Sequence, residues 1–397
     1  MRRVGFAGGV VALLLVVSVP LSIRTYFSSV RLKSGVDLLH AGRYEEAQAQ
    51  FARAAELSPH DYLPHYYLGW TSFQMGDFQG AADTSLTALR LNPNYVPTHV
   101  VLGAAFLRLG EPGRAEGYLA KAVEIAPKRS EALYYMAVCA SELGKWEEAR
   151  EDFEGALWAG WEQRAELFSN LGVVYMKLDD MENAMRSVTS ALNEGSSDPV
   201  INTRAGQFFY TIGNYEKAIT HLAKAVGLFQ EKGVDPRANR VVQQAYYLLA
   251  KIHLKNLGNP YFSSIAVLAL SRAAPQEPSL KEITEDLFTY LERRGFSHTG
   301  DTAALYHVGA SLLLQGRYER ADEVLTTLVK SGESDVSLLQ LAYHDRALSL
   351  FMRKEFDRAL RVLDEAGAIM SDFPRGEKLR EQILAGKNAA RKVSGDQ

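Results

Sequence analysis

The stretch Gly42-Arg43-Tyr44-Glu45-Glu46-Ala47, followed by Phe51, Ala54 and Pro59, decides the fold because it returns about every 34 residues. The pattern recurs at Gly76, Phe78, Ala81, Ala88 and Pro93; at Gly110, Ala115, Leu119, Ala122 and Pro127; and at Gly144, Trp146, Ala149, Phe153 and Ala156. A fixed period of this length is typical of stacked copies of one unit, whereas an ordinary helical bundle holds no fixed period. We therefore predict an all-α solenoid of helix-turn-helix pairs, whose stacking makes a long concave surface.

These residues resemble the tetratricopeptide repeat (TPR) family, whose period and pattern of small and large residues they match. Small residues in the first helix of a unit, such as Gly69 and Gly103, let the second helix approach closely. A glycine after the first helix, such as Gly110, suits a helix end where φ is positive. The resemblance implies a TPR-like superhelix that binds protein or peptide partners.

The register divides the chain into five segments. We predict an N-terminal membrane anchor over 1–27, six units over 28–232, one or more degenerate helical units over 233–300, two further units over 301–385 and a polar tail over 386–397. Within the degenerate segment, apolar spacing predicts a helix pair around 239–273. A capping-box spacing at Ser279 then opens an amphipathic helix without an obvious partner. We expect one continuous superhelix rather than two globular domains.

The second informative feature is a run of twenty uncharged residues, 4–23, preceded by Arg2 and Arg3. This length crosses a bilayer as a helix, so a single N-terminal transmembrane helix is the main prediction. A cleaved signal peptide, which has a shorter apolar core and a small-residue cleavage site, and a buried solenoid cap are the alternatives. The basic residues before the span, against Arg24 after it, favour an N-terminus inside the cell. We thus expect a bacterial inner-membrane protein with its repeats in the periplasm, or an exported protein if the segment is cleaved.

The charge balance and the absence of catalytic motifs exclude several function classes. The chain has 44 basic and 47 acidic residues and a net charge of -3. Because nucleic-acid binders usually carry a basic excess, no nucleic-acid partner is predicted. The sequence contains no G-x-x-x-x-G-K-[ST], H-E-x-x-H or C-x-x-C motif. We therefore predict no catalytic residue, no metal site and no cofactor, and a chain that is not an enzyme.

The resemblance to the TPR family also implies candidate site residues, because first-helix side chains at recurring positions line the concave face in that family. Carried onto this register, they are Tyr66, Trp70, Phe73, Arg108, Tyr134, Asn170, Met176, Lys177, Gln207 and Tyr210. Aromatic and methionine side chains among scattered polar groups suit a peptide or helical partner. The alternative for each residue is that it packs between helices.

Two functions remain after these exclusions. The first is a non-catalytic, membrane-anchored scaffold that binds protein or peptide partners in its concave groove at the cell envelope. The second is an accessory subunit of an envelope enzyme, or of an export or maturation complex, that presents substrate to a catalytic partner. Co-purification with a known enzyme would distinguish the second function from the first.

Overall fold

A computed structural model of the protein is predominantly helical. It describes residues 4–256, 258–276, 278–293, 301–331, 333, 335–370 and 372–394, and for 4–21, 238 and 391–394 it describes the backbone only. No strand occurs in this described part, which confirms the predicted all-α class. The chain divides into two compact units, Met1–Glu194 and Gly195–Gln397, whereas the sequence predicts one continuous superhelix. The repeat period does not predict such a division, because it describes only the contacts between neighbouring helix pairs.

Pairs of consecutive helices build the first unit. The helices are α1 (Val4–His40), α2 (Tyr44–Leu57), α3 (Tyr62–Gln74), α4 (Phe78–Leu91), α5 (Val96–Arg108), α6 (Pro112–Ile125), α7 (Ser130–Glu142), α8 (Trp146–Trp158), α9 (Arg164–Lys177) and α10 (Met181–Gly195). Helix α3 packs on α4, α5 on α6 and α7 on α8. Each second helix buries a stripe of small residues, such as Ala115 and Ala149, against its neighbours.

The close approach within a pair depends on the missing side chain of a first-helix glycine. A Cβ atom on Gly103 would lie 2.4 Å from Cγ of the fully buried Leu119. In the second unit, a Cβ on Gly206 would lie 2.5 Å from Cγ of Leu222. Real Cβ contacts are never this short, so these glycines fix the spacing of the two helices.

The turn between the two helices of a pair repeats its geometry even where glycine is replaced. Gly110 and Gly144 have φ angles of 76° and 75° in this turn. In the pair α9–α10 the corresponding residue is Asp179, with a φ angle of 61°. Left-handed backbone strains a residue that has a Cβ by roughly 1–2 kcal/mol, so the packing of the two helices, and not glycine alone, determines the turn.

The second unit begins with a regular pair and then departs from the repeat. Its helices are α11 (Pro199–Thr211), α12 (Tyr215–Glu231), α13 (Arg240–Lys251), α14 (Pro260–Ala273), α15 (Pro278–Arg293), α16 (Asp301–Leu314), α17 (Tyr318–Lys330), α18 (Val336–Met352), α19 (Phe356–Ile369) and α20 (Pro374–Ser394). The pair predicted around 239–273 corresponds to α13 and α14. A π-helical turn, Ile252–Asn256, follows α13 and accounts for the irregular spacing of this pair.

Helix α15 finds partners that the sequence does not reveal. It packs against both α14 and α16, and its apolar face, including Leu280 and Leu287, is fully buried in one hydrophobic cluster with residues of these helices. The guanidinium carbon of Arg320 lies 4.5 Å from the ring centre of Phe288. The helix predicted without a partner is therefore an insertion between two helix pairs.

The chain ends in a helix where the sequence predicts a polar tail over 386–397. Helix α20 continues through Ser394, and residues 395–397 lie outside the described part. Ile383 is fully buried and Lys387 forms an ion pair with Asp357 of α19. These contacts hold the polar, alanine-containing stretch in a helix.

Two further predictions concern the membrane and metals. Among the helices that the structure describes, none combines the length and the apolar character required to cross a bilayer. The predicted span of residues 4–23 stays a prediction, since the side chains of residues 4–21 lie outside the described part and Arg2 and Arg3 lie there entirely. Within the described residues, no three histidine, cysteine or carboxylate side chains cluster as metal ligands.

Candidate partner-binding groove

A cavity of about 570 Å³ opens on the first unit, on the face formed by α3, α5 and α7. Five of the predicted site residues line it together: Tyr66, Trp70, Phe73, Arg108 and Tyr134. They come from the first helices of three successive pairs, so the repeat brings them to one face. We call this cavity the groove.

Aromatic rings form the wall of the groove contributed by α3. The rings of Trp70 and Phe73 stack with a centroid distance of 6.1 Å, and Tyr66 meets Tyr95 edge-to-face at 5.1 Å. Burial raises the pKa of Tyr66 above its usual range, so its hydroxyl group is neutral at physiological pH. This wall therefore combines rigid apolar area with a hydroxyl group that can donate or accept a hydrogen bond.

Tyr134 lines the groove and also packs between helices. Only 4% of this residue is exposed, and its ring stacks on Trp161 with a centroid distance of 4.2 Å. Asn170 donates a hydrogen bond of 3.1 Å to the Tyr134 hydroxyl oxygen, and burial raises the pKa of Tyr134. Tyr134 and Asn170 thus mainly pack between helices. This packing is the alternative that was given for each predicted site residue.

Charges of both signs surround the aromatic residues. The guanidinium carbon of Arg108 lies 4.6 Å from the ring centre of Phe78, which holds an exposed cation at one edge. Arg129 and Glu131 form an ion pair of 3.3 Å, and Glu142 and Glu166 add carboxylates to the lining. A partner with mixed charges and apolar anchors would complement this surface.

Trp161 is a lining residue that the repeat pattern missed. Its indole nitrogen is buried and has no hydrogen-bond acceptor within the described residues. A buried indole N–H usually finds an acceptor, so this nitrogen is an exception among the side chains that line the groove. The signal was present in the sequence, because Trp158-Ala159-Gly160-Trp161 replaces the proline that closes the preceding units.

The other predicted residues lie outside this cavity. Met176 is half-buried, and the ammonium group of the exposed Lys177 lies 5.8 Å from the ring centre of Trp146. Gln207 and Tyr210 belong to the second unit. There Gln207 accepts a hydrogen bond of 3.2 Å from Gln244, and the ammonium group of Lys251 lies 5.6 Å from the ring of Tyr210. Five of the ten predicted site residues thus line the groove, and the other five do not.

Comparison with known protein families agrees with this architecture. Tetratricopeptide repeat models match residues 32–96, 106–157, 165–193 and 303–331. These segments lie on α1–α4, α5–α8, α9–α10 and α16–α17, and the matches support the TPR family predicted from the sequence. The chain is accordingly similar in its helical repeats to TPR proteins, which act as protein-interaction scaffolds.

Individual relatives are distant. The chain is similar to the anaphase-promoting complex subunit CDC16 of Saccharomyces cerevisiae, with 24% identity over 53% of this chain and 25% of that protein. It is similar to the BBSome complex member BBS4 of Bos taurus, with 29% identity over 29% of this chain and 22% of that protein. The chain thus spans about a quarter of the length of these relatives. A solved structure of a human IFIT1 dimer with m7Gppp-AAAA shares the fold, with a TM-score of 0.56 and 17% identity over 76% of this chain and 72% of that one.

Proposed function

We propose that the protein is a non-catalytic, membrane-anchored scaffold that binds a protein or peptide partner in the groove at the cell envelope. The observation that carries this proposal is the convergence of Tyr66, Trp70, Phe73 and Arg108 on one open cavity. Aromatic side chains and arginine dominate the binding energy of protein interfaces. An open groove lined by aromatic rings and by charges of both signs therefore suits a peptide segment or a helix.

Two features support a partner of this kind over a small molecule. The groove extends along three successive helix pairs, so a ligand that fills it must be extended. The names of the relatives CDC16 and BBS4 describe members of multiprotein complexes, which agrees with a scaffold.

The membrane anchor is the second part of the proposal. Helix α1 runs without interruption from Val4 to His40, and residues 4–23 carry no charge. The exposed Tyr26 and Phe27 follow directly, next to Arg24. Aromatic residues are enriched at membrane–water interfaces. We propose that the anchor lies in a bacterial inner membrane and that the repeats face the periplasm.

The groove is tested by cross-linking the full-length chain in its native membranes and identifying the attached proteins by mass spectrometry. Trp70→Ala should abolish cross-linking of the partner that binds in the groove, because it deletes the centre of the aromatic wall. Phe262→Ala, which changes a half-exposed aromatic residue outside the groove, is the control and should retain it. Equal capture by both variants would reject the groove as the binding site.

The anchor is tested by fractionation. The full-length chain should stay with membranes after salt and carbonate extraction, whereas a chain that starts at Tyr26 should be soluble. Protease added to intact spheroplasts should digest the repeats if they face the periplasm. A mature N-terminus near Val19 would establish signal cleavage in place of an anchor.

A further inference from the structure

Trp158, the last residue of α8, is almost entirely in solvent. It is 91% exposed, more than any other large hydrophobic residue in the described part of the chain. It is not among the residues that line the groove, whereas Trp161, three positions later, is. Tryptophan is the side chain most enriched among binding hot spots, so its exposure here calls for an explanation other than packing.

The repeat register shows that this tryptophan replaces a charged residue. The equivalent positions of the three preceding second helices hold Glu56, Arg90 and Glu124, and all three are exposed. A charged side chain is the ordinary occupant of such a solvated site. The substitution of tryptophan in one unit alone therefore adds an apolar surface where the fold needs none.

A stripe of carboxylates leads along the same helix to this tryptophan. Glu147, Glu151 and Glu154 precede Trp158 at i, i+4 and i+7 spacing, so the four side chains share one face. This face extends over about 16 Å at 1.5 Å per residue. The corresponding positions of α6 hold Gly113, Gly117 and Ala120, which carry no charge. Neither the stripe nor its tryptophan is thus a general property of the repeat.

The negative charge of α8 is incompletely compensated. The helix contains five carboxylates and one cation, Arg150, which lies 3.5 Å from Glu151. Glu154 accepts a hydrogen bond of 2.6 Å from the neutral Tyr175 hydroxyl group, and Glu147 makes no ion pair within the described residues. Burial, together with Glu148 and Glu151, raises the pKa of Asp152 to about 6. A cation brought to this face would therefore lower the electrostatic free energy.

The spacing of the carboxylates favours several basic side chains of one polypeptide over a single metal ion. In the described part of the chain, no three of these groups are close enough to share a metal ion. Charges distributed over a helix face instead match side chains distributed along a second polypeptide. The exposed indole ring at the end of the stripe attracts arginine or lysine through its π face.

We propose that the face formed by Glu147, Glu151, Glu154 and Trp158, which we call the α8 face, binds an arginine- or lysine-rich protein segment. One basic side chain stacks on Trp158, and those that follow pair with the carboxylates. This surface is distinct from the groove, so it binds a partner of different chemistry.

The test uses the full-length chain in mild detergent and two short fluorescent peptides. In the first, arginines repeat at the i, i+4, i+7 spacing of the stripe; in the second, glutamines replace them. Fluorescence anisotropy should show binding of the arginine peptide alone, weakening as salt screens the charges. Trp158→Ala should weaken it about tenfold, the magnitude of a partly desolvated cation–π contact. Glu147→Gln should also weaken binding, whereas Glu45→Gln, the same change at the equivalent position of α2, should not.

Three outcomes would overturn the proposal. They are no binding of the arginine peptide, equal binding of both peptides, and unchanged affinity in Trp158→Ala. Loss of self-association in Trp158→Ala, measured by sedimentation, would likewise overturn it by assigning the face to a second copy of the chain. Trp70→Ala should leave peptide binding intact, so failure of the groove proposal and failure of this one are distinguishable.

Discussion

Replacing Gly103 by alanine tests whether the first helix of a pair approaches the second as closely as the structure indicates. The added methyl group would lie 2.4 Å from Cγ and 2.6 Å from Cδ2 of Leu119. Leu119 is fully buried, so its branch point cannot move aside as the end of an exposed side chain could. The two helices must separate or Leu119 must leave its rotamer, at about 1–3 kcal/mol for overpacking of this kind.

Gly117→Ala is the matched control for this variant. Gly117 lies inside α6, and a Cβ atom there would meet nothing within 4 Å. Both variants gain about 1 kcal/mol of intrinsic helix stability, so the difference between them isolates the overpacking term. We expect Gly117→Ala to be more stable than the original chain, and Gly103→Ala to be less stable than Gly117→Ala by about 1–3 kcal/mol.

The measurement is urea unfolding of both variants combined with hydrogen exchange followed by mass spectrometry. Exchange is needed because repeat proteins can lose units separately, so one global unfolding free energy is incomplete. In Gly103→Ala, protection should fall in α5 and α6 first. Equal stabilisation by the two substitutions would show that α5 and α6 are farther apart than described, and would refute the explanation of the repeated glycines.

Three other predictions follow from buried groups of the first unit. Ala149→Trp forces an indole into a fully buried methyl site and should reduce hydrogen-exchange protection around residues 130–190; unchanged protection would contradict the register. Burial raises the pKa of the Cys139 thiol to about 11, so iodoacetamide should label it only after unfolding, and rapid native labelling would show it to be accessible. The raised pKa of Asp152, about 6, means that ionisation destabilises the fold as pH rises through that value. Asp152→Asn should therefore stabilise the chain near neutral pH and not below about pH 4, and a pH-independent effect would contradict this assignment.

The period predicted the helix pairs and part of the groove because both depend on local, repeated contacts. Tyr66, Trp70 and Arg108 occupy first helices of consecutive pairs in perfect register, so their convergence could be predicted. The register slips by one residue before α9. Met176 and Lys177 lie at the C-terminal end of α9, whereas α9 contributes only Glu166, near its N-terminal end, to the lining of the cavity.

The sequence pattern did not predict the features that depend on contacts outside the repeat. Helices α14, α15 and α16 are consecutive in the chain, but no position of the repeat describes the contacts of α15. Its amphipathic pattern predicts only that it has a partner. Trp161 follows α8 in an irregular segment to which no motif position assigns a direction. The helical end of the chain depends on burial of Ile383 against its neighbours, which the polar composition after residue 385 conceals.

Trp158 and Trp161 are three residues apart in sequence, yet one projects into solvent and the other lines the groove. Two ligands held on such separate surfaces would be brought together at high effective concentration by a single copy of the chain. The yield of the three-part assembly would then rise with the amount of chain only up to a maximum. Beyond that amount, most copies hold one ligand alone, so overproduction of the chain would lower the yield of the assembly.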